Sequence, residues 1–242
     1  MKKISALLIG ISLLAGTACK KESTTITTTT PTAVDLVTRS LDDDGSYINR
    51  TYNSSNQLVS KVSYSAIDSS TENFTYTYSG KVVNVTEASS GMTQKFYLNS
   101  KGTADSGQIS YPGLIEISIV ITYNAAGEPV TTFMSGSFLG SAFEQTYTSV
   151  FSNGNMIQQT TDDGTTTSVS DYTFYLDKVN SLFATDKAEQ FMGGNKNLIK
   201  KTTNDDGTFT SNVYEYDTKG RVTKQTETDE TSASVITDYT WK

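Results

Sequence analysis

The sequence predicts an all-β protein: an antiparallel meander of about 14–16 strands, curled into a flattened barrel or a sandwich-like roll. Three observations carry this. Segments rich in Thr, Val, Ile and Tyr alternate apolar and polar residues with a period of two. Turn residues punctuate them throughout. No long amphipathic helix is available to cover the apolar face, so the sheet must curl on itself or pair with another sheet.

The chain has 242 residues and a net charge of −7. Met1-Lys2-Lys3 and the apolar run Ile4 to Ala15 read as a secretory leader over residues 1–18, since a membrane span needs roughly 20 apolar residues. Gly16-Thr17-Ala18 then places small residues before Cys19, the one cysteine of the chain. This end resembles a bacterial lipoprotein signal, matching at Ala18 and Cys19, with Gly16 where that family usually has leucine. The resemblance implies that Cys19 carries a lipid. Ordinary small-x-small cleavage, leaving a free thiol, is the alternative. Residues 19–33 continue as a Thr-rich stretch (KKESTTITTTTPTA), too poor in apolar residues to fold and so a tether reaching about 20 Å. Residues 34–242 then form a single β domain.

Within that domain, Leu114 to Tyr123 places Ile115, Ile117, Ile119, Ile121 and Tyr123 on one side and Glu116, Ser118 and Thr122 on the other. Phe74, Tyr76 and Tyr78 share a face, as do Val235, Thr237, Tyr239 and Trp241. Tyrosine-led turns recur at Tyr52, Tyr97, Tyr123 and Tyr216, with looser copies at Tyr78, Phe151 and Tyr175. In Tyr216 to Val222, Asp217 and Gly220 fit the ends of a type I turn. Between these lie Asp-Gly turns, clearest at Asp44-Gly45, Asp163-Gly164 and Asp206-Gly207, which suit two-residue hairpin loops. Only Asn180 to Met192 breaks the pattern. It suits a helical turn or a long loop packing Leu182, Phe183 and Phe191 over an opening.

YEYDTKGRVTK resembles the tyrosine-aspartate repeat of the RHS family, extracellular β proteins with the pattern YDxxGRV. The lipoprotein cysteine, the tether, the tyrosine-rich hairpins, DYTFYLDKVNSLF and NLIKKTTNDDGTFTSNVYEYDTKG are together similar to uncharacterised Gram-negative lipoproteins with a porin-like β fold. Members often carry Asn-Pro-Phe where this chain has Asn180-Ser181-Leu182-Phe183. The resemblance implies a fold and an envelope location, lipid-anchored at the outer membrane, and brings no catalytic residues.

Function is bounded mainly by exclusion. The chain contains no histidine, which removes Ser-His-Asp catalysis and histidine-based zinc sites. An acidic chain without a basic block disfavours nucleic acid as a partner. The Asp-rich turns do not complete an EF-hand ligand set, and neither a P-loop nor a dinucleotide fingerprint is present, so no metal or cofactor is expected. Paired-carboxylate glycoside hydrolysis is the enzymatic route left, with Glu116, Glu144 and Glu215 as candidates. The bland reading places each on a solvated strand face. The expected protein is therefore a non-catalytic envelope lipoprotein, held by its anchor, that presents hairpin loops to a glycan or protein partner. The alternatives are a carrier holding a lipid or other hydrophobic ligand inside the roll, a carboxylate hydrolase, and a transmembrane barrel with its apolar faces turned to lipid.

Overall fold

A computed structural model describes residues 34–192 and 194–242. The predicted leader and tether, including Cys19, lie outside the described residues. Strands β1 (Val37–Asp42), β2 (Tyr47–Tyr52), β3 (Leu58–Ser65) and β4 (Ser70–Ser79) open the chain. Strands β5 (Val82–Glu87), β6 (Thr93–Leu98), β7 (Ala104–Tyr111), β8 (Ile115–Tyr123) and β9 (Pro129–Phe138) follow. Strands β10 (Ser141–Ser152), β11 (Asn155–Asp162) and β12 (Thr167–Val179) lead to α1 (Phe183–Gln190), the one helix among the described residues. Strands β13 (Asn197–Asn204), β14 (Phe209–Tyr216), β15 (Val222–Asp229) and β16 (Ser234–Trp241) complete it.

Every strand pairs antiparallel with the next, and β1 pairs with β16, so the meander closes into a sixteen-stranded barrel. Of the two expected forms, the closed barrel is the one realised. Closure removes the sheet edges, which would otherwise expose unpaired N–H and C=O groups.

The period of two decides which way side chains point. On β4, Phe74 and Tyr76 are buried while Thr75 and Thr77 are exposed. On β8, Ile115, Ile119 and Ile121 are buried while Glu116, Ser118, Val120 and Thr122 are exposed. The apolar side faces the lumen, where Tyr76, Val83, Val85, Ile119, Ile121 and Met134 form the centre of the core. The outer wall is mainly Thr, Ser, Asn, Gln and charged side chains, with exposed apolar residues such as Val120, Val150, Ile157, Leu176 and Val213 scattered singly among them. A lipid-facing barrel has the reverse arrangement, an apolar band turned outward.

One turn design dominates the hairpins, and it corrects the expectation of two alternating classes. At Asn53, Asn99, Asn124 and Asp217 the backbone N–H donates to the carbonyl four residues on, while the N–H three residues on donates back to the first residue's carbonyl. The Asn or Asp side-chain oxygen accepts further turn N–H groups, as Asp217 does from Lys219 and Arg221. The fourth residue lies at positive φ: Asn56, Gly102, Gly127 and Gly220. This is a type I turn closed by a left-handed residue and a bulge. The turns at Asp42 to Ser46 and Asn204 to Thr208 have the same bonding, so Gly45 and Gly207 are closing residues of five-residue turns. True two-residue loops occur instead at Leu139-Gly140 and Asn153-Gly154, where both residues are at positive φ.

Candidate functional site

The bulges that follow these turns set up the floor of the barrel. A bulge leaves one residue outside the ladder, with its N–H and C=O unpaired. The extra residues here are Thr38, Asp105, Ile157 and Thr223. Val37, Ala104, Met156 and Val222, all buried, sit immediately beside them, and their N–H groups bond away from the ladder. Three of their carbonyls are capped from the wall: the Tyr52 hydroxyl donates to Val37, the Tyr123 hydroxyl to Ala104 at 2.6 Å, and the Trp241 indole to Val222 at 2.8 Å. Tyr78 treats the Leu58 carbonyl in the same way. Burial of these rings pushes the Tyr52, Tyr78 and Tyr123 hydroxyls up to about 12, so they stay protonated donors.

The freed N–H groups are answered by the β12–β13 connection. The Ser181 hydroxyl accepts from Val222, and the Thr185 hydroxyl accepts from Val37 at 2.9 Å. The Phe191 carbonyl accepts from Ala104, and the Asn195 side chain accepts from Met156. This connection therefore crosses the barrel end and is fastened to β15, β1, β7 and β11. The segment expected to be a helical turn or a loop over an opening is an eight-residue helix with a left-handed exit at Phe191. Phe191 inserts its ring among Tyr76, Tyr78 and Phe96, with centroids 5.2–6.5 Å away. The apolar half of the lumen is thus filled by the plug itself.

A charged cluster lies where α1 meets β1, β2 and β3. Arg50 has inward parity on β2 and pairs with Glu189 of the helix, and its guanidinium also donates to Ser40. Lys61 approaches the same carboxylate at 3.8 Å. Beside them is a cavity of about 260 Å³ lined by Asp42, Ile48, Thr185, Asp186, Thr237 and Tyr239, among others. Burial within the barrel, and then the Glu189 charge, push the Asp186 carboxyl up to about 7 against the pull of Arg50. The cavity has room for water or a small polar group. Its one arginine is already committed.

The two ends of the barrel differ in charge. The hairpin loops opposite the plug contain Asp43, Asp44, Asp68, Asp163, Asp205, Asp206 and Glu230 and no Lys or Arg. The plugged end mixes Lys81, Lys101, Lys187, Lys196, Lys219, Arg221 and Lys242 with Asp35, Glu128, Asp186, Glu189 and Asp217. Ser168 and Glu227 have inward parity near the acidic end yet are exposed, so water enters the lumen there. The acidic turns do not form a cation site. Their carboxylates accept turn N–H and hydroxyl groups, as Asp163 does from Thr165 and Thr166. Among the described residues no group of three metal-ligating side chains converges.

The three candidate carboxylates stay apart on the outer wall. Glu116, Glu144 and Glu215 are all exposed. Glu215 lies near Lys224 at 3.5 Å on the far side of the barrel. Glu116 accepts from the Ser110 hydroxyl and lines a groove of about 660 Å³ across β5–β9. Glu144 sits one strand beyond, opposite Ser135. No buried acid faces a second carboxylate there, which acid–base glycoside hydrolysis requires.

The sequence reading missed Arg50, Thr185, Asp186 and Glu189. One signal was present: Ile48 and Arg50 share a strand face, and an inward arginine needs a partner from elsewhere.

Fold and site together define a hydrophilic-walled meander barrel sealed at one end by its own chain. A porin-like protein from Bacteroides uniformis ATCC 8492 has a similar structure, with a TM-score of 0.60 at 15% identity, covering 85% of this chain and 96% of that one. A porin-like protein from Bacteroides vulgatus ATCC 8482 matches with a TM-score of 0.59 at 10% identity, over 86% of this chain and 99% of that one. The fold is porin-like. No family model matches the chain, and no curated protein does.

Proposed function

We propose that this chain is a non-catalytic envelope lipoprotein, a plugged barrel standing in water on a lipid anchor and offering its surface to a glycan or protein partner. The observation that carries this is the combination of a polar outer wall with a floor fastened by backbone hydrogen bonds. A polar wall is unsuited to hydrocarbon, and a fastened floor is unsuited to conduction. The leader and Cys19 supply the anchor, consistent with an outer-membrane location and with the porin-like names of the two structural neighbours. The tether joins β1 at the plugged end, which would place the acidic loops away from the membrane. The tyrosine-aspartate stretch Tyr216 to Val222 belongs to the same reading, as one hairpin of a degenerate repeat. A hydrophobic-ligand carrier is less favoured, because Phe191 and Met192 occupy the apolar part of the lumen.

Fractionation of host cells tests the anchor. The full-length protein is expected in the membrane fraction, and Cys19→Ala is expected to move it to the soluble fraction. A Cys19→Ala protein that stays with the membrane overturns the lipid-anchored reading.

A further inference from the structure

We infer that the groove across β5–β9 on the outer wall is a binding site for a neutral oligosaccharide. This deepens the envelope-binding reading by naming the ligand class and moving the site from the hairpin loops to the wall.

The wall of a barrel is convex unless something draws it inward. Here two glycines with inward parity do so. A Cβ at Gly136 would lie 1.9 Å from the Glu116 carbonyl oxygen, and one at Gly107 would lie 2.9 Å from the Phe96 ring. Only glycine admits these approaches, so β7, β8 and β9 are drawn in and the outer surface becomes concave. The resulting groove of about 660 Å³ falls within the usual range for small-molecule sites, roughly 300–1,000 Å³. Spanning four strand gaps, it runs about 19 Å across the strands.

Strand register assigns the chemistry of its banks. Lys95, Gln108, Ser118 and Ser135 are successive cross-strand partners, and so are Thr93, Ser110, Glu116 and Ser137. These two rows present hydroxyl and amide groups with a single cation and a single carboxylate. The next row, Tyr97, Ser106, Val120 and Phe133, is built in the same register and contains three apolar side chains. Tyr97 and Val120 are exposed. The groove lining itself is polar, and this aromatic and aliphatic row lies next to it along the strands, outside the lining. Together they complement a pyranose, which has hydroxyls at its edge and C–H groups on its face. Near-balanced charge fits a neutral sugar better than a phosphate or a polyanion.

The experiment uses the full-length protein and four probes: chitotetraose, maltotetraose, xylotetraose and mannotetraose, titrated by calorimetry and saturation-transfer NMR. At least one is expected to bind with a Kd of about 1 mM or tighter. Gln108→Ala and Ser118→Tyr, both on the exposed outer face, are expected to weaken it at least tenfold without changing the melting temperature. Asp205→Asn, in a distant hairpin loop, is expected to leave binding unchanged. Failure of all four sugars to bind overturns the inference, as does binding that ignores both groove substitutions. Capture of an envelope protein that depends on the groove, with no sugar bound, also overturns it. The lipid-anchored reading is judged separately, by the Cys19→Ala fractionation.

Discussion

Gly220 closes the turn that begins at Asp217, with φ near +79° and open space where a Cβ would point. A side chain there meets no neighbour, so the cost of substitution is purely conformational, and for a β-branched residue it is about 1–2 kcal/mol. Gly220→Val is therefore expected to lower stability in urea unfolding by that amount, while Thr218→Val changes little. Equal effects would mean that the left-handed position is not what holds the turn. Asn56 and Ser232 occupy the same place in sister turns at φ 60° and 69°. Replacing either by glycine removes strain of the same kind. Single residues also show how burial and hydrogen bonding compete. Burial would raise the Glu87 carboxyl, yet donors from Ser90 and Ser89 hold it down at about 2. It accepts the Ser89 and Ser90 backbone N–H groups and thereby shapes the β5–β6 loop.

At the scale of elements, the plug couples the floor to pH. Asp186 has an ordinary value of 3.8 and is pushed up to about 7 in the folded protein. Below pH 3.8 it is protonated folded or unfolded and makes no difference. As pH rises from there to about 7, the unfolded chain releases the proton while the folded chain retains it, so this group lowers stability as pH rises. The slope is at most about 1.4 kcal/mol per pH unit, and partial access to water in the cavity reduces it. Asp186→Asn removes the effect. Thermal unfolding is expected to show the variant gaining on the wild type between pH 5 and pH 8, and a gap independent of pH would refute this account. Arg50 and Lys61 face Glu189 on the same helix. Much of the element structure was legible in the sequence, because alternation in stretches such as Leu114 to Tyr123 marks both a strand and its buried face. The plug was not. Its fastenings at Val37, Ala104, Met156 and Val222 are backbone N–H groups released by bulges, and a bulge leaves no pattern in side chains. The groove was illegible for a related reason: Gly136 reads as a weak strand residue until its neighbour's carbonyl is known to lie against it.

For the whole molecule, stability depends on one seam. β1 and β16 pair from Val37–Trp241 to Asp42–Thr237, the Thr237 hydroxyl donates to Asp42, and the Lys242 N–H donates to the Leu36 carbonyl. Deleting residues 234–242 is expected to abolish cooperative unfolding in circular dichroism, because it opens two edges and uncaps Val222. A truncated chain that still melts in one sharp transition would show that closure is dispensable. No local signal announced this pairing, since its partners are separated by almost the whole chain. The seam also orders events in time. Synthesis runs from the first strand to the last, and Asp42 must wait for Thr237, 195 residues later. Throughout that interval β1 has one bare edge and the floor at Val37 has no wall beside it. Nascent chains are then vulnerable to edge-to-edge aggregation, and a holdase that shields β1 would raise the yield of folded protein more than any change to the hairpins between.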